Sequence, residues 1–249
     1  MTNAYTDLYK QQCQNVKSIE DGYKSLEKNV KIAIKTRSAK DEFVCTKLLS
    51  NLTLIWMEAC VLKICYDNNA FTDKDIIIVR KAKSLKQRII SLINMAFCKK
   101  YNLPFTRSKR KLKPQIPPTN RFRYENIINL IEDDFKESVK ILNKISIGQW
   151  KYAYEKEKNI LDKKLTDKIH KENIIHIQLN RSLFNLLMEL IQNIAVDFSK
   201  FEEKFDIIYD KIEKYKLNKE ARDYQAYRDA LITRHEAGKV KKERPITVN

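Results

Sequence analysis

The sequence predicts an all-α protein, and three observations carry that prediction. Only three glycines and five prolines occur in 249 residues, too few for the tight turns that join strands. Lys, Glu, Leu, Ile and Asn dominate the composition, which favours helix over sheet. Apolar residues recur at three- and four-residue spacing along the chain, the period of a helix face. A hydrophobic share of 43% is enough for a substantial core, in one large domain or two small ones.

Residues 1–37 read as an amphipathic helix that packs on the rest of the molecule. Tyr9, Val16, Tyr23 and Val30 repeat every seven positions, with Tyr5, Ile19, Leu26 and Ala33 between them. Such a seam lies against a neighbouring helix, and it lasts too few heptads for a free-standing coiled coil.

Residues 38–217 hold the main helical domain. Its first segment, DEFVCTKLLSNLTLIWMEACVLKICYDNN, is apolar on most faces and reads as the central helix. Asp41 favours its start and the run Asp67-Asn68-Asn69 its end. Glu58 stands among Trp56, Met57, Ala59 and Cys60, so it is expected either as a paired core carboxylate or as a functional acid. FTDKD, with Thr72 or Asp73 as N-cap, leads into a helix over 75–83 and a second over 84–100.

From Arg80 to Tyr124 the chain has no Asp or Glu. Four of the five prolines fall in the last part of that span, NLPFTRSKRKLKPQIPPTNRFRY. Proline removes a backbone donor, so residues 101–123 are expected as an extended basic loop. A loop of that length in a compact domain is commonly functional or disordered. As an arm it would grip phosphates through Arg107, Lys109, Arg110, Lys111, Lys113, Arg121 and Arg123. Phe105, Phe122 and Tyr124 would be available to stack on bases.

Helical spacing resumes over 124–147 and stops at Gly148, just before Gln149 and Trp150. Gly148 is expected to end the helix so that Trp150 packs back on it. A charged connector follows, then two helices over 173–217. Residues 218–249 form a last helix, over about 219–236, and a basic tail; Tyr224, Tyr227, Arg222, Arg228 and Arg234 on that helix offer rings and cations to a polyanion or simply pack.

A formal net charge of +17 favours a polyanionic partner without specifying it. The five cysteines, Cys13, Cys45, Cys60, Cys65 and Cys98, contain no CxxC pair and read as reduced core residues. No charged-then-apolar leader opens the chain, and Lys47, Glu58 and Lys63 interrupt its most hydrophobic run. The expectation is a cytoplasmic protein that spans no membrane. No phosphate-binding glycine loop, nucleophile elbow or HExxH occurs, and His170 and His176 lack the spacing of paired metal ligands. No cofactor and no metal site is expected.

Over about residues 38–215 the chain resembles the HEPN superfamily of small all-helical proteins, nearest to its bacterial nuclease-like branch. The resemblance rests on the segment KDEFVCTKLLSNLTLIWMEACVLKICYDNNAFTDKD, the basic helices ending in FCKKYNLP, and LNKISIGQWKYAY. It implies a HEPN-like helical bundle, here with a long N-terminal helix and additional C-terminal helices. It also implies a metal-independent RNase whose Arg and His, five residues apart, meet at a dimer face, often in bacterial antiviral defence or toxin–antitoxin systems. His moves protons near neutral pH and a guanidinium stabilises charge growing on phosphate.

Aligned on Gly148-Gln149-Trp150, the Arg position holds Leu142 and the His position Ile147, while Asn143 keeps a polar type. No Arg stands five residues before any of the three histidines. Leu142, Ile147, Gln149 and Trp150 are therefore expected as core or interface. The resulting reading is a catalytically silent HEPN-like protein that binds RNA, another nucleic acid or a partner protein, as a homodimer or hetero-oligomer. The alternatives are an RNase with a rearranged or trans-completed site, using Lys144, Ser146 and a histidine, and an assembly subunit that binds no nucleic acid.

Overall fold

A computed structural model describes residues 2–67, 70–155 and 160–243. It is an all-α bundle, with no strand among those residues and one isolated antiparallel bridge between Tyr154 and Leu161. The helices are α1 (Thr2–Lys35), α2 (Ala39–Cys65), α3 (Asp73–Arg80), α4 (Leu85–Lys100), α5 (Lys109–Leu112), α6 (Pro118–Asn129), α7 (Lys136–Ser146), α8 (Lys163–Lys171), α9 (Ile174–Val196), α10 (Phe198–Ala221) and α11 (Tyr224–Glu243). A π turn, Leu130–Phe135, joins α6 to α7 without a break.

Local chemistry sets the ends of these helices. Ser38, Ser84, Ser108, Asp162, Asn173 and Asp197 cap α2, α4, α5, α8, α9 and α10 through their side-chain oxygens, which satisfies donors that the first turn cannot. Thr72 and Asp75 form a reciprocal capping box on α3. Three helices stop on a left-handed residue: Arg37 after α1, Asn102 after α4 and Gly148 after α7. In each case a following amide reaches back to a carbonyl of the last turn, as Leu103 does to Cys98 at 2.8 Å.

Helix α2 is the centre of the bundle and packs on α1, α4, α7 and α9. Trp56, Met57, Val61 and Ile64 are inaccessible on it. The Trp56 ring meets Phe184 of α9 edge-on at 5.4 Å and donates from Nε1 to Glu20 of α1 at 3.2 Å. Arg181 of α9 covers both Trp56 and Tyr23, at 4.8 and 4.1 Å from their ring centroids, and pairs with Glu20. Three helices are thus tied by one cation between two aromatic rings. By length and composition α2 is the one described helix that could cross a bilayer, but 56% of its apolar window is buried inside the bundle.

The structure alters two sequence expectations. Residues 101–123 are not an extended loop: they hold α5, a 3₁₀ turn at Lys113–Gln115 and the start of α6. Leu112 and Ile116 plug into the core at 0% and 1% exposure, and Pro118 sits at the first position of α6, where a missing amide costs nothing. The last two helices break at 222–223, later than expected, and α11 continues to Glu243. Glu58 takes the paired form of its two expected roles, with Arg88 of α4 as its partner. Of the expected features, Asn68, Asn69 and the tail 244–249 lie outside the described residues, as does the side chain of Tyr5.

Candidate nucleic-acid interface

The Gly-Gln-Trp element closes α7. Leu142 and Ile145 are in the core at 2% and 1% exposure, whereas Ile147 stands 68% exposed beyond the helix end. Gly148 takes φ +83°, a conformation that a side chain would strain. The chain then returns along α7: Trp150 donates from Nε1 to the Ile145 carbonyl at 3.0 Å, and Gln149 Oε1 accepts from the Tyr154 amide at 2.9 Å. Trp150 packs on Ile141, Ile145, Leu165 and Ile169, in a small apolar cluster between α7 and α8.

Among the described residues, no constellation of Lys144, Ser146 and a histidine forms around this element. Leu142 is enclosed, so its place is a packing position rather than a surface one. Lys144 donates to the Tyr154 carbonyl and Ser146 to the Asn143 carbonyl, which ties both side chains to the backbone beside them. The His170 Nε2 lies 2.7 Å from the Lys151 carbonyl. Among the described residues no group of His, Cys, Asp and Glu is arranged to hold a metal.

The basic segment divides sharply. Arg123 is structural: its side chain is 14% exposed, its guanidinium lies 5.4 Å from the Phe205 ring centroid, and it bonds Asn120 and pairs with Asp206. Arg121 braces its own turn through the carbonyls of Pro114 and Ile116. Lys113 pairs with Glu125. Tyr124 is inaccessible, with its phenol pushed up by burial and its hydroxyl on Asn94. Phe105 packs against the core and only Phe122, 65% exposed, presents a ring to solvent.

Arg107, Lys109, Arg110 and Lys111 behave differently. Arg110 and Lys111 are exposed at the start of α5. Arg107 reaches the Ile78 carbonyl at 3.5 Å, which lays the segment beside α3. Arg107 and Lys109 thereby share a cavity of about 440 Å³ with Lys81 and Lys83 from the α3–α4 turn. Ala82, Ile90 and Ile128 also line it. Its one carboxylate, Glu132, pairs with Lys109 at 3.5 Å. Four cations from two chain segments around an apolar patch can hold consecutive phosphates.

Comparison with known proteins adds no relative. No family model, no curated protein and no solved structure matches the chain. The groove therefore stands on its own geometry.

Lys81 and Lys83 are the residues that sequence reading placed in the basic span but not in the site. Their charge was visible; their position opposite Arg107 was not, because it depends on Leu112 and Ile116 anchoring the segment that carries Arg107 and Lys109. Conversely, Lys113, Arg121 and Arg123 carry the same charge in the sequence and engage carboxylates, carbonyls and rings of the protein itself.

Proposed function

We propose that this protein binds RNA or another nucleic acid through the groove formed by Lys81, Lys83, Arg107 and Lys109, extended by Arg110 and Lys111. The observation that carries the reading is the convergence of those cations from two separate segments on one cavity. Each phosphate neutralised releases condensed counterions, so the groove's cations contribute together and binding weakens with salt. In the same reading the chain is a HEPN-like protein without the Arg–His pair, acting by binding rather than cleavage. It works in the cytoplasm as a homodimer or with a partner protein, in a bacterial defence or toxin–antitoxin setting. The enclosure of Leu142 favours a silent motif over a rearranged RNase.

The test is fluorescence anisotropy with a labelled single-stranded RNA across salt concentrations. Engaging about four phosphates predicts a slope of log affinity against log salt near −3. A Lys81→Glu/Lys83→Glu variant with an unchanged melting temperature should lose at least tenfold in affinity and flatten that slope. Unchanged affinity in that variant sinks the groove, and cleavage of the RNA in EDTA by the natural protein sinks the silent reading.

A further inference from the structure

A second cavity, of about 620 Å³, shares no lining residue with the basic groove and is in the size range of small-molecule sites. Ala39, Phe43 and Lys47 line it from the first turns of α2, Asn173 and His176 from the start of α9, and Tyr224 from the start of α11. Three helix N-termini therefore face it, against the C-terminal ends of α8 and α10. The balance of backbone dipoles favours an anion.

The side chains point the same way. Lys171 and Arg222 line the cavity and are exposed, and neither makes an ion pair or side-chain hydrogen bond among the described residues. Two of the three carboxylates have hydrogen-bond partners in the cavity wall: Glu42 accepts from Tyr224 and Arg228, and Asp223 accepts from the Gln225 amide. The third, Glu172, is unpartnered among the described residues and sits on the wall shared with a neighbouring cavity of about 440 Å³.

Lys47 is 1% exposed but does not close an ion pair with Glu172; it donates instead to the Ile169 carbonyl. His176 Nδ1 accepts from the Asn173 amide at 3.2 Å, which leaves its proton on Nε2. Glu172 is half-buried and Lys171 and Arg222 are exposed, so an unpaired carboxylate and two unpaired cations are left at the cavity to receive a polar ligand.

We propose that this cavity binds a phosphomonoester carried on an aromatic base, as in a mononucleotide or the phosphorylated end of a strand. Lys171 and Arg222 receive the phosphate, the Phe43 and Tyr224 rings flank the base, and Glu172 with His176 meets the hydroxyls or the base edge.

Binding is coupled to protons. Burial pushes Glu172 up to about 7, against the pull of Lys47 and Lys219. Burial lowers Lys47 to about 8, against the pull of Glu172. Burial and then Lys219 hold His176 below the usual histidine range. From α11, Arg228 stays paired with Glu42. On the other side of the shared wall, Asp134 is paired with Lys216, and Glu137 with Lys168. A bound dianion raises the affinity of all three unpaired groups for protons, so binding takes up protons and weakens as pH rises from 6 to 8.

Isothermal titration calorimetry of the full chain with adenosine 5′-monophosphate, adenosine and inorganic phosphate tests this. Expected are saturable binding of the monophosphate, at least tenfold weaker binding of adenosine, and heats at pH 7.5 that vary with buffer ionisation enthalpy in the sense of proton uptake. A Lys171→Ala/Arg222→Ala variant should keep its melting temperature and lose at least tenfold in affinity.

In a Lys81→Glu/Lys83→Glu background, a 5′-phosphorylated oligoribonucleotide that binds at least tenfold more tightly than its hydroxyl-ended copy assigns the site to strand ends. Monophosphate binding without that preference assigns it to the free nucleotide. Absence of saturable heat with the monophosphate and both strands, or binding indifferent to Lys171→Ala/Arg222→Ala, overturns the proposal.

Discussion

The Tyr124 hydroxyl donates to Asn94 Oδ1 at 2.8 Å, and Asn94 Nδ2 donates in turn to the Thr106 carbonyl at 3.1 Å. Asn94 is inaccessible on α4, Tyr124 is inaccessible on α6, and Thr106 precedes the first cation of the groove. One buried amide thus fixes the basic segment to the core.

Tyr124→Phe keeps the ring in place but leaves Asn94 Oδ1 without its donor. An orphaned buried acceptor costs about 1–3 kcal/mol. Urea denaturation should show a loss of that size at unchanged net charge.

Arg123 and Arg110 should separate stability from binding. Arg123→Met removes a half-enclosed cation from Phe201, Phe205 and Asp206 and should cost about 1–2 kcal/mol with little change in RNA affinity at saturating fold. Arg110→Ala should leave stability within about 0.5 kcal/mol and reduce the salt slope by about 1. Equal effects of the two substitutions on the slope would show that Arg123 is freed on binding.

Placing an Arg at position 142 and a His at position 147 should fail at one position only. Leu142 is in the core, so Leu142→Arg buries an unpaired charge and should unfold the protein or lower its melting temperature by more than 10 °C, as expected of a loss of several kcal/mol. Ile147→His falls on an exposed residue and should be neutral within about 0.5 kcal/mol. Circular dichroism melts of the two single variants check this before any cleavage assay.

Glu172 makes stability pH-dependent in a defined sense. Its folded pKa, about 7, is raised above the ordinary 4.5 by burial, so the folded state holds the proton more tightly than the unfolded chain. Its contribution is fully present below about pH 4.5 and is lost as pH rises through 7. Glu172→Gln should remove that decline between pH 5 and 7, measured by urea denaturation. Lys47 acts with the opposite sign at higher pH: its folded pKa, about 8, is below 10.5, so the cost of burying its charge is relieved as pH rises from 8 to 10.5.

By itself the sequence determined the helical class, the central place of the Trp56 helix and most helix limits. These depend on neighbours within a few residues: the period of Tyr9, Val16, Tyr23 and Val30, the Thr72 cap, and the glycine that ends α7. Tertiary structure decided which charges are available. Arg110 and Arg123 are chemically identical in the sequence, yet one faces solvent while the other lies over Phe205, about eighty positions away along the chain. The same applies to Lys47 and Glu172, whose ionisation depends on desolvation by α2, α8, α9 and α10 together. Burial of a charge is a property of everything packed around it, and no local spacing encodes it.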